Sequence, residues 1–351
     1  MKYRELITLE NLFSAWDAFK IGKQKKPDVL LFERNLEDNI FKLYEELSTK
    51  TYEHQAYRTF HLYDPKFRII NKASVRDRVV HHLIFKFLEP LYQPAFIRQS
   101  YSCQPGKGIH LAINDLARTL RKVSSNYTRR VWALKLDIRK FFDSIDHDVL
   151  FQLVKKKVTD PDILHLLDKI IRSFCSTQGP GRGVPIGNLT SQIFSNMYLS
   201  ELDYFVKFNL KERHYFRYAD DFLFLHYSAA HLQAVQDSVG RFLKESLRLT
   251  IHPNKIILRT LQQGIDFVGY VELPQHRVLR TSTKHRMFTK MKQKVRSYND
   301  GKSDEEELGQ TLQSYLGVLK HCSGYDIEQR LLHEVWLRKE QAILFQNHAT
   351  A

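Results

Sequence analysis

The sequence has few cysteines and no long apolar run, and each absence excludes a class of protein. Its three cysteines, Cys103, Cys175 and Cys322, are odd in number and far apart. They have neither the spacing of a zinc site nor that of a disulfide framework, which predicts a reducing, cytoplasmic location. No apolar run approaches the length of a spanning helix, and the N-terminus lacks the apolar core of a signal peptide, so we expect no membrane insertion.

Acidic residues are also scarce relative to basic ones. The 351 residues include 54 Lys and Arg against 39 Asp and Glu, and the formal net charge is +15. Hydrophobic residues make up 43% of the chain, enough for a large core and two or three subdomains. A foldable chain this basic is typical of a protein that binds a polyanion, most simply a nucleic acid, with a membrane surface as the competing interpretation.

An acidic doublet stands out against this basic background. Tyr218-Ala219-Asp220-Asp221 has short, aromatic and apolar flanks on both sides, which predict two strands joined by a tight turn. Adjacent carboxylates at such a turn repel each other and lose hydration, so a divalent cation is the expected partner. The alternative for an isolated doublet is a solvated turn, because Asp is a common turn former.

A third carboxylate, Asp137, lies near the end of the buried strand predicted over residues 131–138. If this strand pairs beside the hairpin, Asp137 joins Asp220 and Asp221 in one patch. Such a cluster would hold two Mg²⁺ ions about 3.5–4 Å apart, with Mn²⁺ as a substitute, and two such ions suit phosphoryl transfer. The chain offers no Cys/His set that would favour zinc.

Several local predictions place these segments. A hairpin over 60–70 is expected to carry Lys66 and Arg68 at or beside its tip, and residues 1–60 to be helical and basic. Asp146 or Ser144 is expected to cap a helix near His147, and Asn188 or Thr190 one running to about residue 208. Residues 249–258 are predicted to form a strand pair. Residues 277–299 hold eight Lys or Arg and no acidic residue, which predicts a helix offering positive charge to a nucleic-acid backbone.

Taken in order, the motifs from about 60 to 300 resemble those of a reverse transcriptase. Tyr218-Ala219-Asp220-Asp221 matches the family's Tyr-x-Asp-Asp box, and Leu136-Asp137 with Phe141-Phe142 resembles its first catalytic palm motif. The resemblance implies an α+β, right-hand polymerase with fingers, a palm made of an antiparallel sheet with helices on one face, and a helical thumb. The implied domains are a basic helical segment over 1–60, fingers over 61–130, a palm over 131–272 with inserted fingers elements, and a thumb over 273–351.

The resemblance also implies roles for individual residues in an RNA-directed DNA polymerase that takes template RNA, a DNA primer strand and dNTPs. Asp137, Asp220 and Asp221 are the expected catalytic metal ligands, with the backbone carbonyl of Ile138 completing one shell. Phe142 resembles the bulky gate that rejects a ribose 2′-hydroxyl. The expected dNTP contacts are Lys66, Arg68, Phe142, Ile186 and Lys255, and the expected nucleic-acid contacts are Arg78, Gln192, Tyr218, Gly269, Tyr270, Arg286, Lys290 and Lys294.

One departure from the family pattern narrows the resemblance. Where Gln-Gly followed by Ser-Pro is usual, residues 184–192 read Val-Pro-Ile-Gly-Asn-Leu-Thr-Ser-Gln. This is similar to reverse transcriptases of diversity-generating retroelements, which copy a template RNA with frequent errors at adenines. Ile186 replaces an amide near the incoming nucleotide, and the loss of a polar contact predicts weaker discrimination. This group implies a small, basic, oligomeric accessory protein as a partner.

Other functions stay open at this point. Related enzymes act in phage defence or as retrons and intron maturases, although we expect no appended endonuclease or maturase domain. A non-enzyme alternative is an RNA-binding scaffold, against which the complete set of three Asp residues argues.

Overall fold

The structure is a computed structural model that describes residues 1–63 and 67–336. The helices are α1 (Tyr3–Leu6), α2 (Leu9–Lys20), α3 (Pro27–Glu33), α4 (Leu36–Ser48), α5 (Val75–Tyr92), α6 (Ile109–Val123), α7 (Phe141–Ser144), α8 (His147–Lys155), α9 (Pro161–Arg172), α10 (Leu189–Tyr204), α11 (Ala229–Ser246), α12 (Thr281–Asn299) and α13 (Glu305–Leu319). The strands are β1 (Arg58–Tyr63), β2 (Phe67–Lys72), β3 (Trp132–Asp137), β4 (Tyr215–Tyr218), β5 (Asp221–His226), β6 (Ile257–Thr260), β7 (Ile265–Phe267), β8 (Tyr270–Leu273) and β9 (His276–Leu279). The α+β class is therefore confirmed.

Two antiparallel hairpins and a three-stranded meander account for most of the strands. β1 pairs with β2, β4 with β5, and β7–β8–β9 form a three-stranded meander. The hairpins predicted over 60–70 and around the acidic doublet are both confirmed, because short strands with aromatic and β-branched residues flank turn-forming residues in each.

A four-stranded sheet has the order β4-β5-β3-β6. The strand that ends in Asp137 is thus the direct neighbour of the strand that begins at Asp221. The strand pair predicted over 249–258 is wrong. Ile251 forms only an isolated bridge with Ile138, Pro253–Lys255 is a turn of 3-10 helix, and β6 follows it. Proline in the middle of the segment cannot donate a ladder hydrogen bond, which favours this break.

The two helix caps predicted near His147 and before α10 have different outcomes. Asp146 caps α8 by accepting from the N–H groups of Asp148 and Val149, both at 3.1 Å, as predicted. Asn188 occupies the N-cap position of α10, but its side chain does not cap the helix. Its Nδ2 donates to the carbonyl of Asn71 at 2.8 Å, and its Oδ1 accepts from the N–H of Ala73. Asn188 therefore joins the start of α10 to the end of β2.

The described chain divides into two compact units. Unit 1 comprises Met1–Gly108, Lys135–Phe224 and Ala230–Ile257, and it contains the carboxylates predicted to be catalytic. Unit 2 comprises Ile109–Leu134, Leu225–Ala229 and Leu258–Ala351, of which 337–351 lie outside the described residues. The core of unit 2 joins one face of α12 to α13, β8, β9 and α6; its buried residues include Met287, Met291, Val295, Leu308, Leu319, Tyr270, Leu279 and Ile113. The division into four domains remains a prediction.

None of the helices in residues 1–63 and 67–336 combines the length and the apolar character needed to cross a bilayer.

Candidate active site

The acidic doublet lies at the tight turn that joins β4 to β5. Tyr218 pairs with Asp221, so Ala219 and Asp220 are the two residues of the turn. Ala219 has φ +52°, a left-handed conformation that a residue with a Cβ adopts at an energetic cost. Backbone strain of this kind persists only where surrounding contacts hold it, and it fixes the direction in which the neighbouring carboxylates leave the turn.

Two lysines form ion pairs with two of the three carboxylates. Lys255 Nζ lies 2.6 Å from Asp137 Oδ1, and Lys135 Nζ lies 3.0 Å from Asp221 Oδ2. Lys135 and Asp137 are two residues apart on β3, so their side chains leave the same face of the strand. The amide of His252 donates to the carbonyl of Asp137 at 2.7 Å, which places the segment carrying Lys255 beside the end of β3. The structure thus brings Asp137 and Asp221 to one patch.

The electrostatics show that all three carboxylates act on one another. Burial raises the pKa of Asp220, and the charge of Asp137 raises it further, while Lys255 and Arg68 oppose the shift. Burial also raises the pKa of Asp221 to about 6; Lys135 opposes this shift, and Asp137 and Asp220 add to it. Asp220 and Asp221, with raised pKa values, lie beside Asp137 and form a site that favours added positive charge.

The donor set fits hard divalent cations. Asp221 Oδ1 is buried and has no hydrogen-bond partner among the described residues. A buried carboxylate oxygen without a partner is a ligand for a cation, and Mg²⁺ prefers such oxygens. Within residues 1–63 and 67–336, no group of three or more His, Cys, Asp or Glu side chains has the arrangement of a preformed metal centre. Two of the three carboxylates are paired with lysines, Asp137 with Lys255 and Asp221 with Lys135.

The raised pKa of Asp221 predicts a gain in stability when its charge is removed. Its pKa lies above the ordinary value in the folded state, so protonation stabilises the fold at low pH, and this contribution is lost as the pH rises through about 6. In metal-free buffer with EDTA at pH 4, the free energy of unfolding of Asp221→Asn should therefore be close to that of the wild type. At pH 7.5 the variant should be more stable by about 1–2 kcal/mol, reduced by the lost partner of Lys135.

Denaturant unfolding at several pH values measures this difference. Asp237→Asn makes the same charge change at an exposed position of α11 and should leave the free energy of unfolding nearly unchanged. A stability difference for Asp221→Asn that does not change between pH 4 and pH 7.5 would contradict the prediction.

The β1–β2 hairpin contributes one of its two predicted cations to this electrostatic environment. Arg68 on β2 is exposed, and its charge lowers the pKa of Asp220. The charge of Arg68 therefore acts on the carboxylate patch, and its expected contact with a dNTP stays a prediction. Lys66 lies outside the described residues, and its expected contact with a triphosphate stays a prediction.

The glycine-rich loop before α10 lies between β2 and the segment after β3. Val184 N–H donates to the carbonyl of Phe142 at 2.8 Å, and Ile186 accepts from the N–H of Asn71 at 3.1 Å. Gly187 has φ +113°, and a Cβ there would lie 2.9 Å from Cγ2 of Ile70. Only glycine therefore allows this close approach to β2. The side chains of Phe142 and Ile186 are both partly exposed.

Phe141 and Phe142 have different environments although they are adjacent. Lys140 has φ +47°, which turns the chain sharply after β3. Phe141 then enters the core with 2% of its surface exposed, whereas Phe142 packs edge-on against it at 5.4 Å between ring centroids. Ile138, whose carbonyl is an expected metal ligand, forms an isolated β-bridge with Ile251. Phe142 is thus the more exposed of the two rings, and its role as a gate stays a prediction.

Among the nucleic-acid contacts predicted in unit 1, one needs correction. Arg78 is paired with Asp28, and 11% of its side chain is exposed, so this ion pair already uses the charge expected to contact a phosphate. Gln192 is exposed on α10. Tyr218 is partly buried and forms a hydrogen bond with Ser102.

Corrections also arise in unit 2. Tyr270 is 3% exposed, and its hydroxyl donates to the carbonyl of Val318 at 3.0 Å, so it is a core residue and its ring is not a nucleic-acid contact. Gly269 has φ +95° just before it. The basic helix begins at Thr281 because residues 276–279 form β9, and Lys294 is paired with Glu307 of α13. The positive face of α12 is therefore partly neutralised; Arg286 and Lys290 are partly exposed.

Sequence reasoning missed several residues of the site. Lys135 carried a signal, since strand alternation places it beside Asp137, but its ion pair with Asp221 depends on the pairing of β3 with β5. Arg217 carried a weaker signal, a lone cation in an apolar strand. Its partner Asp203, fourteen residues earlier on α10, carried none.

Comparisons with known proteins find sequence relatives of this chain. A family model described as reverse transcriptase (RNA-dependent DNA polymerase) matches residues 63–271. The chain is 25% identical over 256 residues to Protein YkfC of Escherichia coli K12, covering 63% of this chain and 65% of that protein. It is 27% identical over 180 residues to the group II intron-encoded protein LtrA of Lactococcus lactis subsp. cremoris, covering 48% of this chain and 28% of LtrA. The chain thus spans less than two thirds of either relative.

Among solved structures, a telomerase from Candida albicans in complex with a fragment of telomeric RNA has a TM-score of 0.47 and 13% identity, covering 86% of this chain and 64% of that one.

Proposed function

The chain belongs to the reverse transcriptase (RNA-dependent DNA polymerase) family, and we propose that it copies an RNA template into DNA by extending a primer with dNTPs. The observation that carries this proposal is the patch formed by Asp137 on β3, Asp221 on the neighbouring β5 and Asp220 in the turn before β5, whose charges act on one another. The experiment is primer extension by the purified protein with dNTPs and Mg²⁺ on an RNA template. Binding of RNA without any extension would favour the scaffold alternative.

The reaction joins the primer 3′-oxygen to the α-phosphorus of the dNTP as the bond to the β-phosphate breaks and pyrophosphate leaves. When bound, two Mg²⁺ ions would supply Lewis-acid stabilisation of the attacking and leaving oxygens. Asp137, Asp220 and Asp221 would hold them, together with the carbonyl of Ile138. The chain's own contribution is to orient the carboxylate oxygens and to keep the site partly desolvated. Partial desolvation strengthens every charge interaction within the site.

The cations around the patch have separate roles in this proposal. Arg68 neutralises the triphosphate, because its charge already acts on Asp220. Lys255 is held by Asp137 and would leave that ion pair to protonate pyrophosphate. Lys135 balances the charge of Asp221. Phe142 forms the wall against which a ribose 2′-hydroxyl would collide.

We further propose the diversity-generating type, which is supported by residues 184–192 and implies a small basic accessory protein. Ile186 accepts from Asn71 through its backbone, so the loop can keep its path when the side chain changes. Ile186→Asn should lower misincorporation opposite template adenine by roughly tenfold, because a polar side chain adds hydrogen-bond discrimination that an apolar one lacks.

Sequencing of cDNA made on one RNA template measures the error rate at each template base. Ile186→Val is the matched control: it stays apolar and β-branched and should keep the wild-type error pattern. An unchanged rate opposite adenine in Ile186→Asn would refute the role of this side chain.

A further inference from the structure

A buried ion pair lies beneath the catalytic turn. Arg217, on β4, and Asp203, near the end of α10, both have side chains with 0% exposure. Arg217 Nε donates to Asp203 Oδ1 at 2.8 Å, and its Nη2 donates to Oδ2 at 2.7 Å. Both carboxylate oxygens are therefore held by one planar guanidinium, the most directional form of this interaction.

The remaining donor of Arg217 reaches the turn itself. Its Nη1 donates to the carbonyl of Ala219 at 3.3 Å and to Oδ1 of Asn196 at 3.2 Å. Ala219 is the residue with φ +52°, and Asp220 follows it directly. The guanidinium thus bridges a helix, which is rigid and buried, and the strained peptide from which the catalytic carboxylates project.

Neighbouring groups leave the ion pair little freedom. The hydroxyl of Tyr215 donates to Asp203 Oδ1 at 2.8 Å. On the backbone, the N–H of Arg217 donates to Gln99 at 2.9 Å, and its carbonyl accepts from Tyr101 at 3.0 Å. Both the side chain and the main chain of Arg217 are consequently fixed, the main chain along the edge of β4 that does not pair with β5.

Stability alone is a poor reason for such a pair. Removing two charges from water is costly, and well-packed apolar residues in place of a buried ion pair are often as stable. A directional contact with a strained turn is something that apolar residues cannot supply.

We propose that Arg217 is a positioning residue, anchored by Asp203, which holds the Ala219 peptide so that Asp220 and Asp221 point into the metal site. This inference rests on the proposed polymerase function. It concerns the placement of the carboxylates, since Arg217 itself reaches no reacting atom.

An apolar replacement of the whole network separates positioning from stability. The triple variant Arg217→Met, Asp203→Leu, Tyr215→Phe removes the charges and also the hydroxyl that would otherwise lose its acceptor. It should melt close to the wild-type temperature. Its kcat for primer extension should fall roughly 100-fold, the cost of misplacing catalytic groups by about 1 Å, with KM for dNTP and Kd for primer–template within about twofold of wild type.

Hydrogen exchange gives a readout that does not depend on activity. The amides of residues 219–221 should exchange at least about tenfold faster in the triple variant, because the turn has lost its anchor. Glu201→Gln is the matched control on the same helix: it breaks the partly exposed Lys156–Glu201 pair at 2.8 Å and should change neither exchange at the turn nor kcat.

A triple variant that folds with wild-type melting, exchange and kcat overturns the proposal. If the triple variant does not fold, Arg217→Lys decides, because lysine keeps the charge beside Asp203 but cannot also reach Ala219. It should fold, exchange faster at the turn and lose kcat; a folded Arg217→Lys with normal exchange and kcat equally overturns the proposal. Absence of primer extension by the wild-type protein would instead sink the proposed function and leave the exchange measurement as the test of the anchor.

Discussion

Asp220→Asn is expected to abolish DNA synthesis while leaving the protein folded. Asn keeps the size of the side chain but removes the charge that two metal ions require, which should lower kcat by on the order of 10³–10⁴-fold. The turn is set by Ala219 and the pairing of Tyr218 with Asp221, neither of which the substitution touches. Because burial and Asp137 raise the pKa of Asp220, its charge opposes folding, and the variant should melt at or above the wild-type temperature.

Primer extension and binding of labelled primer–template are measured together for this variant. Affinity for primer–template should stay within about twofold of wild type, since metal ligation and backbone binding are separate contributions. Asp237→Asn again provides the exposed charge-matched control and should extend primers normally. Retained extension by Asp220→Asn would show that the metal assignment is wrong.

Phe142→Ala is expected to admit ribonucleotides. The ring is partly exposed beside Phe141, and its carbonyl is fixed by Val184, so truncation removes the wall without moving the backbone. The ratio of kcat/KM for dNTP to that for the matching rNTP should fall by roughly 10²-fold, the scale that steric rejection in a binding pocket supplies. The cost in stability should be smaller than for truncation of the buried Phe141.

Steady-state incorporation of each nucleotide by the variants measures this ratio. Phe142→Tyr keeps the bulk of the ring and should keep the wild-type preference for dNTPs. If Phe142→Ala lowers both activities equally and leaves the ratio unchanged, the ring serves packing only.

Local patterns predicted much of the fold. The aromatic flanks of Asp220-Asp221 specified the hairpin, and the apolar run ending in Asp137 specified the strand, because each pattern depends on neighbours one or two residues apart. The cap of α8 at Asp146 followed in the same way. Predictions failed where a side chain had two competing partners. Asn188 forms a hydrogen bond with β2 and does not cap α10, and Arg78 forms an ion pair with Asp28.

The sequence by itself determined the order of the motifs, the family they belong to and the three carboxylates expected to act together. Only the tertiary structure decided what holds those carboxylates, namely Lys135, Lys255 and the guanidinium of Arg217 on Asp203. It also decided that Tyr270 lies in a core. The physical reason is that propensity and periodicity act over a few residues, whereas burial and ion pairing depend on which distant segments share a surface once the chain has closed.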